Sequence, residues 1–322
     1  MAEKKIKRTV ESLEIVVPVY NEEITIPTFH QQLTEAMSQA EQSWRIIYVD
    51  DGSTDETYER LSALQDAHKN VDVLTFSRNF GKEAALTAGM DHSEGDVVVT
   101  IDSDGEHPPS LIQEMLALYQ IGYDVVHMQR SQEESPGRMK NWSSRLFYSV
   151  LAILSRTPVY PGVSDFRLIS RDVLLAMREM PEYHRYIRGM VTWLGFRAVL
   201  LPYKPGPRIG GKSKFSLTKL IKLALDAVFS FSLVPLFIGL FVGLGFLFLA
   251  VLEAVYVLQF WVRGDIANVA PGWSSLMFML LIIGGTTSIL LGIIGMYIGY
   301  IFQEVKRRPL YILKKPGSAQ PV

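Results

Sequence analysis

LEIVVPVYNE, residues 13–22, is the stretch from which the fold can be read. A short apolar run rich in β-branched residues and closed by a polar cluster reads as a buried strand with a working loop at its carboxyl end. The pattern recurs downstream. Strands are expected at 13–17, 45–49, 71–76, 97–101 and 125–128, and helices at 26–40, 55–68 and 83–90. Strands alternating with helices imply an α/β fold, Rossmann-like, with an open, mostly parallel sheet covered on both sides. Ligands of such sheets bind at the carboxyl ends of the strands, and the polar motifs sit there.

Three of those motifs carry chemistry. Pro18-Val19-Tyr20-Asn21-Glu22 closes the first strand and Asp50-Asp51-Gly52-Ser53-Thr54-Asp55 closes the second. Carboxylates at consecutive strand ends suit the base and ribose hydroxyls of a nucleoside. A plain turn with Ser53 or Thr54 capping the next helix explains part of the second motif, but not its two adjacent acids. Asp102-Ser103-Asp104-Gly105-Glu106 ends the fourth strand. Asp102 and Asp104 project to the same side of an extended segment and repel unless a cation lies between them. Oxygen ligands of this kind suit Mg²⁺ or Mn²⁺ bridging substrate phosphates, with Glu106 completing the set. An EF-hand is disfavoured, because Gln113 stands where its bidentate Glu is needed and His107 where its Gly is needed. A solvated acidic turn is the plainer alternative.

Composition narrows the class. A net charge of −1 argues against a general nucleic-acid binder. With 0 cysteines, disulfides, thiolate zinc sites and cysteine nucleophiles are excluded. The apolar run after the basic N-terminus is too short for a signal peptide, and Asn21 and Glu22 stand where cleavage needs small residues. Residues 233–261 hold Glu253 as their one charge and 275–302 hold none, so each exceeds the roughly 20 residues that span a bilayer. Lys212, Lys214, Lys219 and Lys222 precede the first stretch, and Lys306, Arg307, Arg308, Lys314 and Lys315 follow the second. The loop between them holds Arg263 offset by Asp265, so both ends are expected in the cytoplasm. Leu217, Leu220, Ile221, Ala224, Leu225 and Val228 make an amphipathic helix suited to the membrane interface. A second such segment is expected at Trp142, Leu146, Phe147, Val150, Leu151 and Leu154. Gly239, Gly243 and Gly245, or Gly292, Gly295 and Gly299, allow close helix contact, within one chain or between copies. Residues 1–8 and 316–322 are expected to be disordered.

PVYNE, DDGSTD, SRNFGKEAAL and DSDGEHPP, in this order and spacing, resemble the family 2 glycosyltransferases of GT-A fold. SDFRLIS, RYIRGM, RIGGKSKFS and the paired apolar stretches are similar to the polyprenyl-phosphate branch: dolichol-phosphate mannose synthases and, closer, bactoprenol glucosyltransferases. The resemblance runs from about residue 13 to residue 308. It implies that Pro18, Tyr20, Glu22, Asp50, Asp51 and Lys82 contact the nucleotide-sugar donor, and that Asp102, Asp104 and Glu106 bind the metal. Glu106 stands where the family usually has Gln. Arg208, Ser213 and Lys214 match the loop that closes on the donor diphosphate; the same glycine-rich stretch could instead be a linker, and a P-loop is excluded by spacing. The lipid-phosphate acceptor is expected at Arg130, Arg138 or Lys140, and Ser144, since an Arg fork suits phosphate oxygens.

The expected reaction is inverting hexose transfer, from UDP-glucose first and GDP-mannose second, to undecaprenyl phosphate. Asp102, Asp104, Arg208 and Lys214 are its catalytic set, and Mg²⁺ or Mn²⁺ its cofactor. The acceptor phosphate is largely dianionic at neutral pH, so no dedicated base is needed, and the six histidines are expected mostly at the surface. The chain divides into a cytoplasmic catalytic domain (1–210), a juxtamembrane amphipathic helix (211–230), a two-helix transmembrane domain (231–304) and a basic cytoplasmic tail (305–322). A multi-pass protein of the inner (plasma) membrane, homo-oligomeric through its spans, is implied. A processive glycan synthase is disfavoured, since its Gln-x-x-Arg-Trp motif is missing. A non-catalytic membrane scaffold or sensor on the same fold is the alternative of another class.

Overall fold

The computed structural model of the 322-residue chain describes residues 8–131, 162–183, 185–207, 209, 234–263 and 272–314. The chain forms two compact units, residues 1–216 joined by 308–322, and residues 217–307.

Among the described residues of the first unit, seven strands form one sheet in the order β3-β2-β1-β4-β6-β5-β7. β1 (Ser12–Val19), β2 (Ser43–Asp50), β3 (Val71–Thr75) and β4 (Val97–Thr100) run parallel, so their carboxyl ends share one edge. β5 (Val125–Arg130) runs parallel to β7 (Ala198–Tyr203), and β6 (Val163–Ser170) is antiparallel to both its neighbours. The strands expected from pattern all form, extended by one to three residues, except that β3 and β4 each stop one residue short. β6 and β7 were not legible.

Helices cover both faces. In α1 (Thr25–Met37), Ile26, Phe29, Leu33 and Met37 recur at helical spacing and pack on Leu13, Ile15 and Val17. α2 (Thr57–Ala67) and α4 (Ile112–Gln120) join that face through Leu61, Ile112 and Met115. The opposite face takes α3 (Lys82–Asp91), α5 (Arg171–Arg178) and α6 (Ile187–Trp193), through Ala85, Ala88, Val173, Leu174 and Ile187. Gly89 lets α3 lie directly on β1: a Cβ there would stand 2.2 Å from Val16 Cγ1. Arg8, expected in a disordered end, instead donates to the Gln120 carbonyl and pairs with Asp124 at 2.7 Å.

The second unit holds two long helices, α7 (Val234–Arg263) and α8 (Trp273–Lys306), where the apolar stretches were read. Within the described residues one segment, Ile282–Lys306, is long and apolar enough to cross a membrane. Among the described residues, a Cβ at Gly243, Gly245, Gly292, Gly295 or Gly299 would meet nothing within 4 Å. Both amphipathic segments lie outside the described residues.

Candidate active site

The parallel strands bring the motifs together at one edge, where the loops stitch to each other. Asn21 takes a left-handed backbone (φ 52°), donates its N–H to Ser53 Oγ, and accepts from the Thr54 N–H through Oδ1 at 2.9 Å. The Glu22 N–H donates to Thr57 Oγ1, and Glu22 Oε2 accepts from Thr25 Oγ1 at 2.7 Å. Ser53 and Thr54 therefore tie the two loops together and do not cap α2; Asp55 Oδ1 takes the Thr57 N–H instead.

The expected donor contacts divide by burial. Tyr20 is the exposed side chain of its motif, while Pro18 is buried within β1, opposite Val49. Asp50 is buried and accepts from the Ser53 N–H, and burial raises its pKa. Asp51 is 4% exposed, and its two oxygens are taken by the N–H groups of Phe80 and Gly81 and by Asn79 Nδ2 at 2.6 to 3.1 Å. Its role in this geometry is to hold loop 77–81. Burial pushes its carboxyl up to about 6 against those hydrogen bonds. Gly52 makes the fit possible: with φ +68°, a Cβ there would lie 2.5 Å from the Arg78 carbonyl carbon.

Loop 77–81 leads into Lys82, whose ammonium joins Asp102 to Asp165, each at 2.7 Å. Asp165 is the hub that motif reading missed. It accepts two bonds from Arg188 (Nε 2.6 Å, Nη2 2.8 Å) and one from Arg167 at 3.1 Å. Burial alone would raise the Asp165 pKa; Lys82, Arg188 and Arg167 overturn that and hold it well below the usual carboxylate range. Burial also works against the Lys82 ammonium, and Asp102 and Asp165 outweigh it to raise that pKa. Glu83, beneath them, accepts from the Ile187 N–H and is pushed up to about 7 by burial, then by the charge of Asp165. Antiparallel insertion of β6 creates this hub. With Arg167 opposite Thr100, the first residues of β6 lie where β4 ends.

The acidic loop is held from several sides. The Asp102 N–H donates to His107 Nδ1 at 3.4 Å, and Asp104 Oδ1 accepts from the Glu106 N–H. The N–H groups of Ile209 and Gly206 donate to the carbonyls of Asp104 and Glu106, each at 3.0 Å. Gly105 (φ +83°) has no room for a side chain, since its Cβ would lie 2.5 Å from Ile209. Arg208, Ser213, Lys214, Arg138, Lys140 and Ser144 lie outside the described residues.

Glu106, expected to complete the metal set, and Arg130, expected at the acceptor, stand next to each other: Arg130 Nη2 donates to Glu106 Oε2 at 2.5 Å. The pair joins the acidic loop after β4 to the end of β5, across β6, which lies between those strands; among the described residues no three His, Cys, Asp or Glu side chains form a metal-holding group. Asp102 and Asp104 are the pair of carboxylates not engaged by Arg130. That donor set fits Mg²⁺ or Mn²⁺ when substrate phosphates complete the coordination. The histidines also differ from expectation: His30, His107 and His127 are buried, His107 against Phe166 and Tyr203.

The comparisons agree with this architecture. The glycosyl transferase family 2 model matches residues 14–177. An uncharacterized glycosyltransferase of Synechocystis sp. is 36% identical over 303 residues, covering 94% of both chains. An uncharacterized glycosyltransferase of Bacillus subtilis is 37% identical over 306 residues, 94% of this chain and 93% of that one. The prophage-derived bactoprenol glucosyl transferase of Shigella flexneri is 36% identical over 312 residues, 96% of this chain and 99% of its own. Strand order, the laced motifs at the sheet edge and these full-length likenesses converge, and the chain belongs to glycosyl transferase family 2.

Proposed function

We propose that the chain transfers glucose from UDP-glucose to undecaprenyl phosphate at the cytoplasmic face of the plasma membrane, with inversion. The likeness to the Shigella bactoprenol glucosyl transferase, which leaves almost no part of either chain uncovered, carries this reading. The site is compatible with it. Tyr20 and the laced loops 20–22 and 50–55 offer a nucleoside edge, and loop 77–81 borders them through Asp51. Asp102 and Asp104 would hold Mg²⁺ or Mn²⁺, which supplies positive charge where the departing diphosphate develops negative charge. Lys82 holds Asp102 in place, with Asp165 fixing Lys82 in turn. Arg208, Ser213 and Lys214 are proposed to close on the diphosphate. One oxygen of the acceptor phosphate attacks the anomeric carbon, the bond to the diphosphate oxygen breaks, and no proton has to be removed from a dianionic phosphate.

The acceptor demands a membrane site. Two crossings by α7 and α8 are proposed, with the catalytic unit and both ends cytoplasmic. At 30 and 34 residues the helices rise about 45 Å and 51 Å, enough for a bilayer. The division of the chain at 1–210, 211–230, 231–304 and 305–322, and association of copies through the spans, belong to the same proposal.

The test is transfer of radiolabelled sugar to undecaprenyl phosphate by the purified full chain. UDP-glucose, GDP-mannose and UDP-galactose are each offered with Mn²⁺, Mg²⁺ or EDTA, beside Asp104→Ala. Labelled lipid from UDP-glucose alone, lost with EDTA and in the variant, is expected. Label from another donor would change the substrate. No label and no nucleotide binding by folded protein would sink the enzymatic reading.

A further inference from the structure

Five residues beyond the end of α8, the chain pairs with the catalytic unit through a single antiparallel bridge. Leu313 bridges Phe76 in antiparallel fashion, the Ser77 N–H donates to the Ile312 carbonyl at 2.9 Å, and the Lys314 N–H donates to the Thr75 carbonyl at 2.7 Å. Side chains alternate as in a strand: Tyr311 and Leu313 pack on the core that includes Phe76, while Ile312 is exposed. The Tyr311 ring stacks on Phe76 with centroids 5.2 Å apart and planes at 12°, and Phe76 meets Phe80 edge-on at 5.6 Å. The Tyr311 hydroxyl donates to Asp91 Oδ2 at 3.2 Å.

These contacts fall on both boundaries of one short stretch. Phe76 stands immediately before loop 77–81, the loop that occupies Asp51 and leads to Lys82. Asp91 is the last residue of α3, the helix that Lys82 begins. On its other side the loop is held by Asp51 and by the close approach of Gly52. The loop is thus gripped between the DDGS turn and the C-terminal strap.

We propose that Tyr311 is a positioning residue for the donor site: by stacking on Phe76 and bonding Asp91, the strap of residues 311–314 fixes the start of loop 77–81 and the carboxyl end of α3, the two ends of the stretch that carries Lys82. This rests on the donor-site reading above. A basic cytoplasmic tail was expected here. Nothing in the proposal requires the strap to touch substrate; it acts through Phe76, Phe80 and Lys82.

The test uses the full chain in detergent, with the variants Tyr311→Ala and Tyr311→Phe. UDP binding is measured by calorimetry with Mn²⁺, beside KM for UDP-glucose, KM for undecaprenyl phosphate, and Tm. Loss of the stacking partner should weaken UDP binding and raise the donor KM by about 3- to 10-fold in Tyr311→Ala. The lipid KM should stay within about twofold, and Tyr311→Phe, which keeps the ring, should recover most of the donor affinity. If Tyr311→Ala does not fold, Tyr311→Leu carries the same expectation. UDP affinity and donor KM equal to wild type in the Ala variant would overturn the proposal, as would a uniform loss in both KM values and Tm. Wild-type protein that binds no UDP would overturn the donor-site reading and the proposal with it.

Discussion

Replacing Asp165 with Asn removes the anion on which Lys82, Arg167 and Arg188 converge. Asn has the same shape, but its amide N–H₂ meets cationic donors where an acceptor is required. The Asp165 side chain is 5% exposed and Arg167 1%, so water cannot replace the lost charge. Breaking a buried ion pair from one side costs about 3–5 kcal/mol. For a unit of this size that corresponds to a fall in Tm of roughly 6 to 20 °C. Lys82→Met should cost less, because Lys82 is 39% exposed and Asp165 keeps its two arginines. Activity orders differently: both variants should lose transfer by at least about 100-fold, since each leaves Asp102 without its fixed partner. The Asp165 pKa lies well below 3.8 in the folded state, so its contribution is complete above that value and is lost only as pH falls through the folded pKa. Asp165's own titration adds nothing from pH 6 to 8, but its charge helps hold Glu83 up to about 7, so the Tm advantage of wild type over Asp165→Asn should narrow as pH rises through that range. The assay is thermal unfolding by tryptophan fluorescence at a fixed scan rate, beside labelled-lipid formation. A Tm for Asp165→Asn within 2 °C of wild type, or a greater loss of stability in Lys82→Met, would refute the assignment of Asp165 as the hub.

Asp51 has the opposite sign. Its folded pKa is pushed up from 3.8 to about 6, so the stability it contributes is full below 3.8 and is lost as pH rises through about 6, a change of about 3 kcal/mol. Melts from about pH 4.5 to 7.5 should show a steeper decline for wild type than for Asp51→Asn, and parallel curves would contradict the burial argument. Gly89→Ala should destabilise by about 1–3 kcal/mol, because its Cβ meets Val16 Cγ1 at 2.2 Å. Val16→Ala in the same chain should restore part of that loss, which chemical denaturation can measure. Glu106→Gln removes the charge of an ion pair whose Arg130 side is 43% exposed, so the unfolding free energy should change by about 1 kcal/mol. Mn²⁺ titration of activity in that variant should retain its midpoint within about tenfold, because Asp102 and Asp104 are the remaining donor pair; complete loss of metal response would restore Glu106 as a ligand.

The sequence by itself determined the parallel half of the sheet, the helices α1 to α3, and which loops carry the polar motifs. Those features are local: each strand from β1 to β5 is an apolar run read within a few residues, and each motif follows its strand directly. It also determined the family, since the spacing of PVYNE, DDGSTD and DSDGE is a property of the chain alone. The tertiary structure decided the rest. β6 contains Asp165 and Arg167, charges that break an apolar strand pattern, and they are tolerated only because Lys82 and Arg188 arrive from α3 and α6 to balance Asp165. That Glu106 pairs with Arg130 depended on β5 ending beside the acidic loop. Residues 311–314, which composition marks as a basic tail, dock because the backbone at the end of β3 offered partners at Thr75 and Ser77 and Phe76 offered a ring to stack on. Pattern reading sees neighbours along the chain, whereas a buried charge or a docked segment is stabilised by groups tens to hundreds of residues away, and only folding brings those groups within hydrogen-bonding distance.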